Sequence, residues 1–304
     1  MSIWEEDLQE VKKAVEALQR SSNHFERAMK YWVKVEEWAD INGCEFIGVD
    51  GSFTIKSFKY STLYLTRAIA LSSAVNVKKS KSELLNTVYG EHVRQHAQAI
   101  MASLEADVAL TAFEKVERGG SRPIVLFDGS LSYMILSHSP RSPLIREATI
   151  KTLSSLIERG SAIFIAKSSH SELYEAGLPD MSLFSRMPMG YSKPQEIRMA
   201  KLCNMPETYL RQMGLAFKLM DVTVFYAKLV EGGSLLKFEV PGARSEEEVY
   251  RLLSMIKAIS PKGYPIPLLV AHDNVKLSSM TLRRILSVTG VKVLSGREVL
   301  KEVI

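Results

Sequence analysis

The sequence predicts an α/β protein in which helices pack against a mixed β-sheet. Apolar, strand-like runs alternate with helical patterns along most of the chain. The first two strand-like runs follow each other with no helix between them, which indicates an antiparallel start. Strands joined through helices usually pair in parallel, so the combination predicts a mixed sheet with helices on it.

Composition narrows the class of protein. The 304 residues are 46% hydrophobic and 24% charged, as in ordinary globular proteins, and the length suits one large α/β unit. No apolar stretch approaches the roughly 18 to 20 residues of a membrane helix, and the acidic start MSIWEEDLQEVKK does not resemble a secretory signal. Cys44 and Cys203 are too few for a disulfide framework or a zinc cluster. We therefore expect an intracellular, cytoplasmic protein.

The net charge of +5 is compatible with a phosphate-rich partner. No single run of basic residues dominates, so we expect any positive groove to be assembled from scattered lysines and arginines.

The predicted organisation is an N-terminal helical region, residues 1–40, followed by one domain, residues 41–304. Leu8, Val11, Val15 and Leu18 recur at helical spacing, and a second helix is predicted from Phe25 to Ala39.

The elements predicted after residue 40 alternate in type. In chain order they are a strand at Glu45–Ser52 that ends in a turn, a strand at Thr62–Ala74, a long helix at Leu84–Val116, a strand at Pro123–Asp128, a helix at Leu144–Glu158, a strand at Ala162–Ala166, a hairpin at Val222–Val240 that turns at Gly232-Gly233, a helix capped by Ser245, an extended apolar run at Pro267–Ala271, and a short helix at Ser279–Val288.

Two aspartates stand where predicted strands end. Asp50 and Asp128 each follow an apolar run and precede Gly-Ser. Turn chemistry is the simpler explanation for either one alone, but two identical units favour a shared site at one sheet edge. Lys167 follows the third strand and is a candidate phosphate contact or a counter-charge to these carboxylates.

Glu105 is a third candidate. Met101, Ala102, Val108 and Ala109 surround it on the predicted helix, which places it on the face that packs against the sheet. A buried carboxylate costs several kcal/mol unless it is paired or metal-bound. Three clustered carboxylates repel one another, and hard divalent cations with oxygen ligands are the natural compensation.

In chain order these residues carry a family pattern. The chain has VDGS at Val49–Ser52, the helical Glu105 and FDGSL at Phe127–Leu131. It continues with AKSS at Ala166–Ser169, FEVP at Phe238–Pro241 and GYPIPLLVAHD at Gly263–Asp273. The pattern resembles the NurA nuclease family of archaea and bacteria, and it spans nearly the whole chain.

That resemblance implies an RNase H-like fold related to the PIWI module of Argonaute proteins. It also implies manganese-dependent (or magnesium-dependent) DNA cleavage with two ions, by 5′–3′ exonuclease and single-strand endonuclease activities. The expected nucleic-acid partners are single-stranded DNA and the ends of double-stranded DNA. The expected protein partners are a HerA-like hexameric translocase, in the resection of double-strand breaks, and a second copy of the chain in a homodimer. No membrane partner is expected. The N-terminal helices and the C-terminal end are candidates for the protein contacts.

The resemblance also assigns residues. It makes Asp50, Glu105 and Asp128 metal ligands, with His272 as a further ligand or as a group that orients or protonates the scissile phosphate. Tyr264 matches the functional tyrosine of the family and is expected to position or stack on the DNA strand.

Two other functions stay open at this point. An actin-like or sugar-kinase-like ATP phosphotransferase shares the core topology, but its phosphate loops read Asp-x-Gly-Thr/Ser, whereas both turns here read Asp-Gly-Ser. A non-catalytic DNA-binding or scaffold protein would bind DNA without metal-dependent cleavage.

Overall fold

The computed structural model describes residues 3–19, 23–41, 43–58, 61–86, 90–136, 143–212 and 221–288. These residues contain one ten-stranded mixed sheet. Its strands are β1 Trp32–Lys34, β2 Phe46–Ser57, β3 Thr62–Leu71, β4 Asn76–Leu85, β5 Ile124–Asp128, β6 Ser161–Ala166, β7 Gly190–Ser192, β8 Gln195–Arg198, β9 Asp221–Lys228 and β10 Leu236–Pro241.

Eleven helices lie within the same described ranges. They are α1 Ile3–Gln19, α2 Asn23–Met29, α3 Glu91–Arg118, α4 Leu131–Leu136, α5 Pro143–Arg159, α6 Asp180–Leu183, α7 Met199–Leu202, α8 Glu207–Gln212, α9 Glu246–Ala258, α10 Ile266–Val275 and α11 Ser279–Val288. Among the residues described, no helix has both the length and the apolarity to cross a membrane.

Half of the sheet has the strand order of an RNase H-like core. Neighbouring strands run β4-β3-β2-β5-β6. Strand β3 is antiparallel to both of its neighbours, β4 and β2, and β5 and β6 run parallel to β2. Long helices supply the crossovers that parallel pairing requires, α3 between β4 and β5 and α5 between β5 and β6. The predicted fold class is confirmed.

Alternating side chains on the central strands build a core on each face. Val125 and Phe127 of β5 pack with α3 and α5 on one face. Ile124 and Leu126 of the same strand pack with α9 and α10 on the other. Because both faces are covered, β5 and β6 are apolar at nearly every position, as is usual for buried parallel strands.

Helix α10 lies against β2 with almost no space between them. A Cβ atom built on Gly48 would overlap the backbone carbonyl of Pro267 and lie 2.7 Å from the amide nitrogen of Leu268. Only glycine allows this approach of two backbones. It fixes α10 relative to the strand that continues into Asp50.

Several predicted elements are confirmed. Strands β3, β5 and β6 and helices α5 and α11 lie where the sequence predicts them. Strands β9 and β10 form the predicted antiparallel hairpin, and Gly232 in its turn has a φ of 68°. Ser245 caps α9 in a capping box with Glu248.

Two helix predictions are wrong in part. The helix predicted from Phe25 to Ala39 ends at Met29, and Trp32–Lys34 form strand β1, which pairs with β7. The long helix begins at Glu91 rather than Leu84, because Leu84 belongs to strand β4. Strand β4 lies at the sheet edge with mostly exposed, lysine-rich side chains, so it lacks the apolar pattern of a core strand.

Two strand predictions are also wrong. Asp50-Gly51-Ser52 does not form a turn, because β2 continues through it to Ser57. The apolar run Pro267–Ala271 is not extended but belongs to helix α10. A short apolar run buried on one side does not distinguish a strand from a helix by periodicity.

The Gly48–Pro267 contact leads to a stability prediction. We expect Gly48→Ala to lower the free energy of unfolding by about 1–3 kcal/mol, because the added methyl group has backbone rather than a flexible side chain in its way. Chemical denaturation measures this change. Ser80→Ala, at an exposed position of β4, is the control and should stay within about 0.5 kcal/mol of wild type. Equal stability of the two variants would contradict the close approach.

Candidate metal centre

The pairing of β2 with β5 brings two aspartates together. Val49 and Phe127 are partners in this parallel ladder, so Asp50 and Asp128 occupy the next position on neighbouring strands. Both aspartates lie on the face that α10 covers, since Gly48 and Leu126, two residues earlier on each strand, contact that side. The predicted cluster of Asp50 and Asp128 is therefore present.

His272 reaches the aspartates from α10. Its Nδ1 lies 2.8 Å from Oδ2 of Asp50, in a hydrogen bond, and 3.9 Å from Oδ2 of Asp128. Ligand atoms of Asp50, Asp128 and His272 all lie within 4.8 Å of one another. Helix α10, which packs on Gly48, thus also places the His272 imidazole beside Asp50. The sequence predicted an extended segment at this position.

The carboxylates are held at an electrostatic cost. Burial, followed by the charge of Asp128, raises the pKa of Asp50. The hydrogen bonds that Asp50 accepts from His272 and from the Gly51 amide (2.8 Å) act in the opposite direction, but they do not cancel the effect of burial. Two buried carboxylates at this spacing favour protonation or a bound cation.

Glu105 approaches from the opposite face, on α3. Its side chain is 9% exposed, as the sequence predicted. A Cβ atom on Gly51 would overlap its Oε1 and lie 2.9 Å from its Cδ, so the missing side chain of Gly51 makes room for the carboxylate. Burial, and then the charges of Asp50 and Asp128, raise the pKa of Glu105 well above its usual value.

Glu105, Asp50 and Asp128 line one small cavity of about 80 Å³. The set of ligand atoms that lie within 4.8 Å of one another contains Asp50, Asp128 and His272. Glu105 is thus next to this set and interacts with it electrostatically, while its role as a direct ligand stays a prediction.

Lys167 and Tyr264 form the rim of the centre. The Lys167 ammonium donates to Oδ2 of Asp128 at 2.9 Å and lies 4.4 Å from the centroid of the Tyr264 ring. Burial, and then the charge of Asp128, raise the pKa of the Tyr264 phenol. Its hydroxyl oxygen is buried and has no partner of good hydrogen-bond geometry among the described residues.

The donor set fits a hard divalent cation. Two carboxylates and one imidazole converge, and a third carboxylate lies beside them, as in sites for Mn²⁺ or Mg²⁺. The raised pKa values of Asp50 and Glu105, caused first by burial and then by the neighbouring carboxylates, point the same way, since a bound cation stabilises the charged forms.

Neighbouring polar residues have structural roles. Ser52 Oγ accepts a hydrogen bond from the Leu277 amide at 3.1 Å, and Ser130 Oγ donates to Glu239. Asp273 pairs with Lys276 on the exposed side of α10. Glu239 lies in the FEVP motif, but the sequence alone does not indicate a role for it, because a glutamate in a strand is usually solvent-exposed.

The electrostatics lead to a prediction for the metal-free protein. The pKa values of Asp50 and Glu105 are higher in the folded than in the unfolded protein, where they are 3.8 and 4.5. The two groups therefore do not destabilise the fold below those unfolded-state pKa values, and they destabilise it increasingly as the pH rises toward the folded-state pKa values. We expect Glu105→Gln to raise the Tm in EDTA at pH 7 by several degrees, since each pKa unit corresponds to about 1.4 kcal/mol. Its Tm should also fall less steeply than that of wild type as the pH rises.

Thermal melts from pH 4.5 to 8 in EDTA test this expectation. Asp107→Asn is the control, because Asp107 lies on the same helix but is half-exposed and pairs with Lys79. A Glu105→Gln protein that melts below wild type in EDTA at pH 7 would show that the buried charge is not destabilising.

Comparison with known proteins agrees with this fold. A family model described as the NurA domain matches residues 44–277. The DNA double-strand break repair nuclease NurA of Sulfurisphaera tokodaii is 25% identical over 322 aligned positions, covering 93% of this chain and 92% of that protein.

Two crystal structures have the same fold. The NurA nuclease from Sulfolobus solfataricus superimposes with a TM-score of 0.71 at 19% identity, covering 95% of this chain and 97% of that one. A structure of NurA bound to dAMP and manganese gives a TM-score of 0.70 at 14% identity, covering 98% of this chain and 100% of the other. From the family match over residues 44–277, this chain belongs to the NurA family.

Proposed function

We propose that this chain is a divalent-metal-dependent deoxyribonuclease that hydrolyses phosphodiester bonds. The observation that supports this most is the convergence of Asp50, Asp128 and His272, whose ligand atoms lie within 4.8 Å of one another at one edge of the sheet. The relative from Sulfurisphaera tokodaii is named as a DNA repair nuclease, and one structure of the same fold holds dAMP and manganese.

We assign Asp50, Glu105, Asp128 and His272 to hold two Mn²⁺ (or Mg²⁺) ions. Bound there, such cations lower the pKa of an attacking water and stabilise negative charge on the phosphate oxygens. The protein contributes a rigid frame, because paired strands carry the two aspartates and helix α10 carries the histidine. A fixed frame keeps the reacting groups aligned without reorganisation.

Lys167 is the proposed phosphate contact. Its side chain is 48% exposed while its ammonium touches Asp128, so it can neutralise the aspartate and also reach a DNA phosphate at the rim. The Tyr264 ring packs against this ammonium in a cation–π contact. Because the Lys167 ammonium covers one face of the Tyr264 ring, we favour a role for Tyr264 in orienting Lys167 and the DNA strand. Base stacking on that face of the ring is the less favoured role.

The finer proposal concerns substrates and partners. We propose a 5′–3′ exonuclease and single-strand endonuclease that works in the cytoplasm with a HerA-like translocase in end resection, as a homodimer. Helix α1 supports protein contacts, because its Trp4, Leu8 and Val11 are exposed. The predicted C-terminal contact region, beyond residue 288, lies outside the described residues.

Cleavage of labelled DNA tests the catalytic proposal. We expect wild type to cut single- and double-stranded DNA with Mn²⁺ but not in EDTA. Asp50→Asn should reduce the rate at least about a thousandfold, since it removes charge where the cations bind. Asp273→Asn is the matched control, next to His272 in sequence but paired with Lys276 on the exposed side, and should retain the wild-type rate.

This assay, together with measurements of DNA binding and ATP binding, distinguishes the remaining alternatives. DNA binding by wild type without cleavage, even with Mn²⁺ and a HerA-type translocase present, would favour the scaffold function. Tight ATP binding by the isolated protein would favour the phosphotransferase. Labels at the 5′ or 3′ end read the direction of digestion.

The role of Lys167 leads to a separate prediction. Lys167→Gln should weaken DNA binding, measured by fluorescence anisotropy with Ca²⁺ in place of Mn²⁺, and should reduce the slope of log affinity against log salt by about one phosphate contact. Lys34→Gln, on the far edge strand β1, is the control. An unchanged salt slope for Lys167→Gln would show that this lysine serves only as a partner of Asp128.

A further inference from the structure

A buried ion pair lies on the other side of the sheet from the aspartates. Lys237 and Glu239, two residues apart on β10, are 3% and 1% exposed. The Lys237 ammonium lies 2.7 Å from Oε1 of Glu239 and donates to Ser171 Oγ at 2.9 Å. Glu239 pairs with Phe164 of β6, whose side chain belongs to the core under α3 and α5.

The Glu239 carboxylate binds the segment that follows Asp128. It accepts hydrogen bonds from the Ser130 hydroxyl at 2.9 and 3.0 Å and from the Leu131 amide at 2.7 Å. The Ser132 amide makes a longer contact of 3.4 Å. These amides begin helix α4, where backbone N–H groups have no partner within the helix. One carboxylate therefore holds three consecutive residues.

This segment leads directly from the candidate metal centre. Gly129 has a φ of 136°, so the chain turns sharply immediately after Asp128. The Gly129 amide donates to the Ile165 carbonyl at 2.9 Å, and Ser130 is then held by Glu239. Ser130, Tyr133 and Met134 line the same small cavity as Asp50 and Asp128. Movement of the segment would shift both Asp128 and a wall of this cavity.

Stability alone does not require this pair. Replacing a buried ion pair with apolar residues of similar volume is often neutral or stabilising, and the neighbouring Phe164 and Phe127 show that this core accepts large apolar groups. A charged pair does what an apolar pair would not do, because its carboxylate accepts directional hydrogen bonds from backbone at a fixed place.

We propose that Glu239, held by Lys237, is a positioning residue for Asp128. It fixes the segment Gly129–Ser132 so that the Asp128 carboxylate stays aligned with Asp50 and His272, without itself contacting metal or DNA. This proposal rests on the proposed metal-dependent nuclease function. It gives a role to the glutamate of the FEVP motif.

Two variants and one control test the proposal in the 304-residue chain. Glu239→Gln keeps the shape of the side chain but removes its charge, so at least one of its donors loses a good acceptor. We expect about a tenfold loss in Mn²⁺ affinity, measured by calorimetry without DNA, and a similar loss in kcat with an unchanged KM for DNA. The double variant Lys237→Met, Glu239→Gln removes the unpaired ammonium as well.

The double variant separates positioning from stability. We expect its Tm to return toward that of wild type while its Mn²⁺ affinity and kcat remain about tenfold low. If Mn²⁺ affinity and kcat recovered together with the Tm, the proposal would be overturned and Glu239 would have only a structural role. Glu248→Gln, which removes the capping carboxylate of α9, is the matched control and should not change Mn²⁺ affinity.

The calorimetric measurement also keeps this proposal distinct from the nuclease proposal. If wild type binds Mn²⁺ but cuts no DNA, the nuclease function fails, and the affinities of wild type and Glu239→Gln still decide whether Glu239 positions Asp128. Equal affinities would overturn the positioning role. A wild-type protein that binds no Mn²⁺ would overturn both proposals.

Discussion

Repulsion among Asp50, Asp128 and Glu105 is the constraint around which the rest of the structure is organised. Each carboxylate is largely buried, and burial, followed by the charges of Asp50 and Asp128, raises the pKa of Glu105. The Lys167 ammonium offsets part of this charge at the rim, and His272 forms a hydrogen bond with Asp50. A cluster of this kind persists only where the surrounding fold is stable enough to hold it. Here the β2–β5 ladder, buried on both faces, supplies that stability.

Close backbone approaches set the distances within the cluster. Gly48 lets α10 lie directly on β2, so that His272 reaches Asp50. Gly51 leaves room on the opposite face for Glu105. Two glycines three residues apart on one strand thus admit groups from two different layers to the same sheet edge. The motif VDGS contains a glycine for this steric reason rather than for a turn.

The sequence predicts the parts of the site that depend on local pattern. Asp50 and Asp128 follow apolar strands, and the helical neighbours of Glu105 are apolar, so their placement follows from nearest neighbours along the chain. Local sequence patterns do not predict the elements whose structure depends on contacts between residues that are distant in the chain. Strand β4 carries exposed lysines and forms because β3 pairs with it. The run Pro267–Ala271 is helical because of its packing on β2, which no local periodicity encodes.

Lys237 and Glu239 show the same limit at the level of single charges. They alternate with Phe238 and Val240, a pattern that normally indicates a strand with one face in water. In the folded chain that face lies under α3 and α5, where Cys203 and Phe164 also belong to the core. The alternating pattern therefore does not indicate a solvent-exposed face here. A charged group that is buried away from water must form hydrogen bonds or ion pairs within the protein. Glu239 finds them in the segment after Asp128. In the proposed arrangement, the geometry of the sheet edge that carries Asp128 is therefore determined in part by an interaction on the opposite, water-excluded side of the sheet.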